Sequence, residues 1–394
     1  MDTVFSGLEV FLDDASDHAG LSAGARVGLV VHPASVDRQY RHAVDLIRDR
    51  GRLDVRRLFA PEHGTGGEAQ DMESVGQTTD RDSGLPVVSL YGDNLLSLRP
   101  DIAHMEGLDA VVYDLQDVGS RYYTYVTTLS FVMETAREAG LPVVVLDRPN
   151  PIGGVVMEGP LLHPSMTSFV GRYPIPPRHG MTTGELALMY NDAFGIGCDL
   201  RVVPMQGWHR PMYMDETGLP FVSPSPNMPD LQTAIVYPGA CLLEGTNLSE
   251  GRGTTLPFLQ FGAPWIDGKT WAGRLSGEGA VPRPVSFRPM FQKHAGDRCG
   301  GVFVHVEDRN TYRSFTWYLE AIAIARDLNP DLFDWRRETY EFENDRLAMD
   351  LLLGRPGIRE GLEQGASVLE LEDSWREDLD RFRSERRPFL LYPE

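Results

Sequence analysis

The stretch LFAPEHGTGGEAQ, Leu58 to Gln70, offers two chemistries. Glu62, between Pro61 and His63 at the end of an apolar run, suits acid catalysis, because a partly desolvated carboxyl group stays protonated near neutrality and can donate its proton. Gly64, Gly66 and Ala69 also satisfy G-x-G-x-x-G/A, the fingerprint of a dinucleotide turn. In a nucleotide site, however, the first glycine follows its strand directly. Here Pro-Glu-His intervenes, Pro61 has no N–H for an anion, and a carboxylate at Glu62 would face the pyrophosphate. The segment GEAQDMESVGQ is a poor crossover helix, so the acid is preferred over the phosphate cradle.

Other reactive side chains follow further apolar runs. Tyr91 ends one, and Asp114, Gln116 and Asp117 end another, with Arg121, Tyr122, Tyr123 and Tyr125 just beyond. Asp147, Arg148 and Asn150 end a third. A lone Asp after a strand is usually a cap or turn residue, but ionisable groups at four strand ends concentrate chemistry on one rim. Downstream, ACLLEGTNLSEGRGT places Glu244, Thr246, Asn247, Ser249 and Arg252 among glycines that permit close backbone approach, a pattern equally typical of a structural turn. SPSPNMPD (Ser223 to Asp230) resembles a rigid loop wall, and His179 precedes a helix start. The histidines His32, His63, His179 and His209 show no H-E-x-x-H or H-x-H spacing, so no metal is expected, and no G-x-S-x-G elbow supports a serine hydrolase.

The elements that must position these groups alternate. RVGLVV (Arg26 to Val31), VRRLFA (Val55 to Ala60), PVVSLY (Pro86 to Tyr91), DAVVYDL (Asp109 to Leu115) and LPVVVLD (Leu141 to Asp147) are unalternated apolar runs, as in strands covered on both faces. Helical spacing is predicted for Gln39 to Arg50 and Tyr123 to Ala139, stopped by Gly51 and Gly140, and for Thr182 to Asp192, where T-T-G-E forms a capping box. Right-handed crossovers turn this punctuation into an α/β fold, a Rossmann-like, doubly wound and mostly parallel sheet. Composition shifts near Pro204, so the expected division is 1–205, Rossmann-like, and 206–394, a smaller α/β domain closing a cleft. The latter is expected to contain a strand over Gly301 to Asp308, a helix over Ser314 to Asp327 and a helical tail over Asp345 to Arg387.

Composition narrows the partners. The 394 residues are 42% hydrophobic, enough for a sizeable core, and 57 Asp and Glu against 37 Lys and Arg leave a formal charge of −20. That field repels nucleic acid and anionic membrane, so an anionic ligand needs a local Arg cluster. Cys198, Cys241 and Cys299 are far apart, which suggests buried thiols and neither disulfides nor zinc. No leader or membrane span is visible, and a cytoplasmic protein is expected.

The ordered motifs LFAPEHG, GLPVVSLYG, VVYDLQDVGSRYYTYVTTL, VVLDRPNPIGG, MEGPLL, SFVG, PIPPRHGMTTGELA, PSPNMP and YPGACLLEGTNLSEGRGT resemble the NamZ-type peptidoglycan exo-β-N-acetylmuramidases over Arg26 to Phe303. The resemblance implies a Rossmann-like domain plus a smaller one, with an interdomain cleft that releases β-1,4-linked N-acetylmuramic acid from the non-reducing end of peptidoglycan fragments. It places the proposed catalytic glutamate at Glu62 and implicates a cleft tyrosine, for which Tyr91, Tyr122, Tyr123 and Tyr125 are candidates. It departs at VVHPASVD, where His32 stands in place of an Asn common in relatives. No cofactor is expected, and the partner is a small glycan.

Glycoside cleavage needs a proton donor, here Glu62, and usually a second group, for which Asp114, Asp117, a tyrosine or the substrate's own acetamido group are the options. Carboxyl separations of about 5 Å against about 6.5–9.5 Å separate retention from inversion. Arg121, Arg148 or Arg252 offers the fork that the lactyl carboxylate of muramic acid calls for, and His63 is placed to orient Glu62 or a sugar hydroxyl. The rival readings are a muropeptide-binding protein that keeps the cleft without catalysis, and a nucleotide-dependent enzyme on the same sheet.

Overall fold

The computed structural model describes residues 3–13, 19–62, 64, 78–92 and 95–393. Seven strands, β1 (Arg26–Val31), β2 (Asp54–Ala60), β3 (Thr78–Thr79), β4 (Pro86–Ser89), β5 (Ala110–Asp114), β6 (Val143–Leu146) and β7 (Leu200–Val203), form one sheet in the order β3-β4-β2-β1-β5-β6-β7. All neighbours are parallel except β3 against β4. The central runs are buried along almost their whole length, as double coverage requires. Gly28 lets β1 sit under a neighbour's ring: a Cβ there would meet Phe59 at 2.5 Å. Four-residue β7, only half buried, had no run long enough to announce it.

Helices α1 (Gly7–Asp13) and α2 (Ala43–Arg50) cover one face, and α3 (Tyr125–Ala139) and α4 (Thr183–Asp192) the other. Gly51 and Gly140 end their helices in the left-handed region, and Thr182 with Glu185 makes both halves of the expected capping box. The α2 helix starts later than its spacing suggested, because the Asp37 carboxylate accepts the N–H groups of Gln39 and Arg41 and holds residues 37–41 as a turn. The α3 helix likewise begins after Tyr123, which frees Tyr122 and Tyr123 to point elsewhere.

The second lobe contains α5 (Leu231–Ala240), a three-stranded antiparallel sheet of β8 (Gln260–Ala263), β9 (Ala280–Phe287) and β10 (Cys299–Val306), and the helices α6 (Gly268–Arg274), α7 (Ser314–Leu328), α8 (Ala348–Leu353), α9 (Ile358–Glu363) and α10 (Val368–Glu385). The expected helical tail is three helices, broken at Gly354, Gly357 and Gly365, all with φ between 71° and 89°. One apolar core runs from Val30 and Phe59 through α3 and α4 into α5, α7 and Phe382 of α10, so the two lobes share their interior. All three cysteines are buried, and none forms a disulfide. No helix among the described residues is long and apolar enough to cross a membrane.

Candidate functional site

An open sheet of this type offers a crevice where strand order reverses, here between β1 and β5. That crevice is filled from within. Arg148, arriving from the end of β6, donates from Nε and Nη2 to the two carboxylate oxygens of Asp114 at 2.5 and 2.8 Å, and from Nη1 to the Val36 carbonyl. His32 and Ser35 complete the plug: the ring of His32 lies 3.0 Å from Ser35 Oγ, which donates to the Asp114 carbonyl. All four residues are at most 5% exposed. Burial, and then the Arg148 charge, push the His32 pKa down to about 3, so the ring is neutral. A dinucleotide at this point would have to displace the whole arrangement.

The cavity lies instead beyond β2 and the start of α3, against the second lobe. Glu62, Tyr123, Tyr237, Glu244, Arg252 and Glu341 are among its walls, with Ser225 and Asn227 from the proline-rich loop, and its water-sized space is about 40 Å³. Glu62 is 6% exposed, and its Oε2 accepts the Thr124 hydroxyl at 2.7 Å. Thr124 is the N-cap residue of α3, where a hydroxyl normally takes up a helix N–H, yet it makes no such bond because it is committed to Glu62. Among the described residues, Glu62 Oε1 carries no hydrogen bond.

The four candidate tyrosines separate by where their hydroxyls go. Tyr122 donates to the Pro238 carbonyl at 3.1 Å, Tyr125 to the Pro224 carbonyl at 2.7 Å, and Tyr91 to Glu341 Oε2 at 3.1 Å. Tyr123 alone of the four has a buried hydroxyl without a hydrogen bond of normal geometry among the described residues. It faces the same cavity as Glu62, and burial raises its ionisation above the usual phenol range. A buried hydroxyl left in this state is costly unless a ligand satisfies it.

The other anticipated residues divide between wall and scaffold. Arg252 lines the cavity, its Nη2 donating to Glu244 Oε1 at 2.7 Å, while Tyr340 donates to Glu244 Oε2 at 2.8 Å. Glu244 also borders a larger, open hollow of about 590 Å³, and it is there that Asn247 lies. Arg121 is spent on the carbonyls of Pro160, Ile175 and Leu352, and Asn150 bridges Ile152 N–H and the Met181 carbonyl. Asp147 accepts from Thr182, Gly184 and Tyr392, a knot that ties the C-terminal segment to the first sheet; burial pushes its carboxyl up. Asp117 accepts from Gly119 N–H and lies 3.7 Å from His179 Nε2, a pair that is not part of the cavity wall. Neither Asp114 nor Asp117 lines the cavity that Glu62 faces. His63, with Gly66 and Ala69 of the glycine fingerprint and the whole of GEAQDMESVGQ, falls outside the described residues. Glu341 and Tyr340 escaped the sequence reading altogether: the run TYEFEND carries no motif, and neither a strand nor a helix announces it.

A Rossmann-like sheet with its switch point plugged, and a carboxyl group and a phenol enclosed where a second lobe meets it, define a two-lobed α/β protein with a polar cavity between its lobes. The chain belongs to the NamZ exo-β-N-acetylmuramidase family: residues 27–232 match the model of the N-terminal region of that family and residues 235–392 that of its C-terminal region. It is 42% identical over 392 residues to the peptidoglycan β-N-acetylmuramidase NamZ of Bacillus subtilis (strain 168), covering 99% of this chain and 91% of that protein. Two crystal structures of DUF1343 family proteins from Bacteroides fragilis NCTC 9343 are similar. One has a TM-score of 0.86 at 32% identity over 99% of both chains, the other 0.75 at 29% over the whole of both.

Proposed function

We propose that this chain is an exo-acting glycoside hydrolase that releases β-1,4-linked N-acetylmuramic acid from the non-reducing end of peptidoglycan fragments, with Glu62 as its acid. The observation that carries the reading is the enclosure of Glu62 and the unsatisfied Tyr123 hydroxyl in one cavity between the lobes. In this reading residues 1–205 carry the acid and 206–394 supply the opposing wall. Thr124 fixes the carboxyl group through Oε2, which leaves Oε1 to deliver the proton to the glycosidic oxygen as its bond to the anomeric carbon breaks. Tyr123 is assigned a hydrogen bond to the sugar at the reacting end. Of the three arginines considered for the lactyl carboxylate, Arg252 is the choice, because it lines the cavity while Arg121 and Arg148 do not, and its guanidinium, also paired with Glu244, faces the ligand space.

Replacing Glu62 with Gln tests the assignment. Release of N-acetylmuramic acid from a muramic acid–glucosamine disaccharide should fall by about 10²–10⁴-fold while the melting temperature holds. Undiminished turnover removes Glu62 from the mechanism. Saturable binding of the disaccharide by the unmodified protein without product points to a muropeptide-binding protein.

A further inference from the structure

Hydrolysis by Glu62 needs a partner at the anomeric carbon, and the strand-end aspartates do not face the cavity. Asp114 is locked to Arg148, and Asp117 lies with Gly119 and His179. Among the described residues, two carboxyl groups besides Glu62 do face it, Glu244 and Glu341. Glu244 is clamped by the Arg252 guanidinium on one oxygen and the Tyr340 hydroxyl on the other, an arrangement that builds a wall.

Glu341 is presented differently. It is 3% exposed, and its φ of 45° and that of Phe342, 67°, are consecutive left-handed values at non-glycine residues, a conformation that costs backbone strain. The strain has a visible result. A tight turn pairs Tyr340 with Glu343 in both directions, at 3.1 and 2.9 Å, and the adjacent side chains of Tyr340 and Glu341 both reach the one cavity. In an extended strand neighbours face opposite ways. Tyr91, from beyond β4, donates to Glu341 Oε2, and its ring packs on Phe342 at 5.7 Å and Phe169 at 5.8 Å. The first lobe thus holds the carboxylate that the second lobe presents.

We infer that Glu341 is the second catalytic carboxylate, facing the anomeric carbon while Glu62 faces the leaving oxygen. The inference rests on the glycosidase reading above. In the step it describes, the Glu62 proton passes to the glycosidic oxygen, and the bond from that oxygen to the anomeric carbon breaks with its electron pair going to the oxygen. The Glu341 carboxylate supplies negative charge to the positive carbon, and the oxygen of a water forms the new bond. The proton that water loses replaces, through solvent, the one Glu62 gave, so one water is consumed and both carboxyl groups are restored.

The test compares Glu341→Gln, Glu341→Ala and Glu62→Gln on two substrates, the muramic acid–glucosamine disaccharide and a 4-nitrophenyl β-muramide. Nitrophenolate departs without a proton, so Glu62→Gln should be much less impaired on the nitrophenyl substrate. Glu341→Gln, which can still accept the Tyr91 hydrogen bond, should lose about 10²–10⁴-fold in kcat on both substrates at an unchanged melting temperature. Sodium azide should restore nitrophenol release to Glu341→Ala and yield a muramyl azide, which a purely structural glutamate would not allow. The inference is overturned if Glu341→Gln keeps more than a tenth of turnover on both substrates, if it shows the leaving-group dependence of Glu62→Gln, or if azide gives no adduct. Failure of the unmodified protein to release muramic acid from either substrate would instead overturn the glycosidase reading, and the inference with it.

Discussion

The crevice between β1 and β5 and the cavity between the lobes hold the same kinds of side chain in opposite states. In the crevice, Asp114 and Arg148 meet in a two-pronged pair, and His32 and Ser35 bridge to the neighbouring backbone. In the cavity, Glu62 keeps one oxygen without a hydrogen bond among the described residues, the Tyr123 hydroxyl is unsatisfied, and Glu341 sits on strained backbone. A buried polar group that is fully bonded within the protein holds structure together, whereas one left short of partners stores an interaction for a ligand. Residue type and strand-end position do not separate the two cases. The partners do.

The sharpest way to break this contrast is at Asp114. Asp114→Asn leaves the Arg148 guanidinium buried without its counter-charge, and the expected loss is about 3–5 kcal/mol in urea-unfolding free energy. The fraction that remains folded should turn over with near-normal kcat; a selective loss of kcat at unchanged stability would move Asp114 from scaffold to chemistry. Tyr123→Phe is the mirror experiment. Removing a hydroxyl that makes no hydrogen bond of normal geometry among the described residues should leave the melting temperature unchanged or raise it, while turnover falls about tenfold for one lost hydrogen bond to substrate. A drop in stability without a change in turnover would reverse the assignment.

His32 gives the smallest effect at neutral pH, and one that grows as the pH falls. Its folded pKa, about 3, lies below the unfolded value of 6.5, so between these limits the unfolded chain binds the extra proton and stability falls as pH is lowered. The slope is at most about 1.4 kcal/mol per pH unit for a single group. His32→Asn, a neutral side chain that can also hydrogen-bond, should flatten this part of the profile between pH 6.5 and 4.5. An unchanged slope in urea midpoints would show that other groups set the acid sensitivity.

The sequence by itself determined the β/α alternation, because unalternated Val- and Leu-rich runs are stable only when covered on both faces, and the helix ends at Gly51, Gly140 and Thr182, because capping is decided within a few residues. It also determined that Glu62 follows a strand tip, which in an open parallel sheet is the reactive rim. Tertiary structure decided which strand-tip groups were left over for chemistry. Arg148 lies 34 residues from Asp114, and strand register brings them together; Tyr91 lies 250 residues from Glu341, and the packing of one lobe on the other brings those together. Short-range preferences are written in neighbouring residues, but whether a buried charge or hydroxyl is satisfied depends on groups brought near by the fold, and that distinguishes the plugged crevice from the cavity.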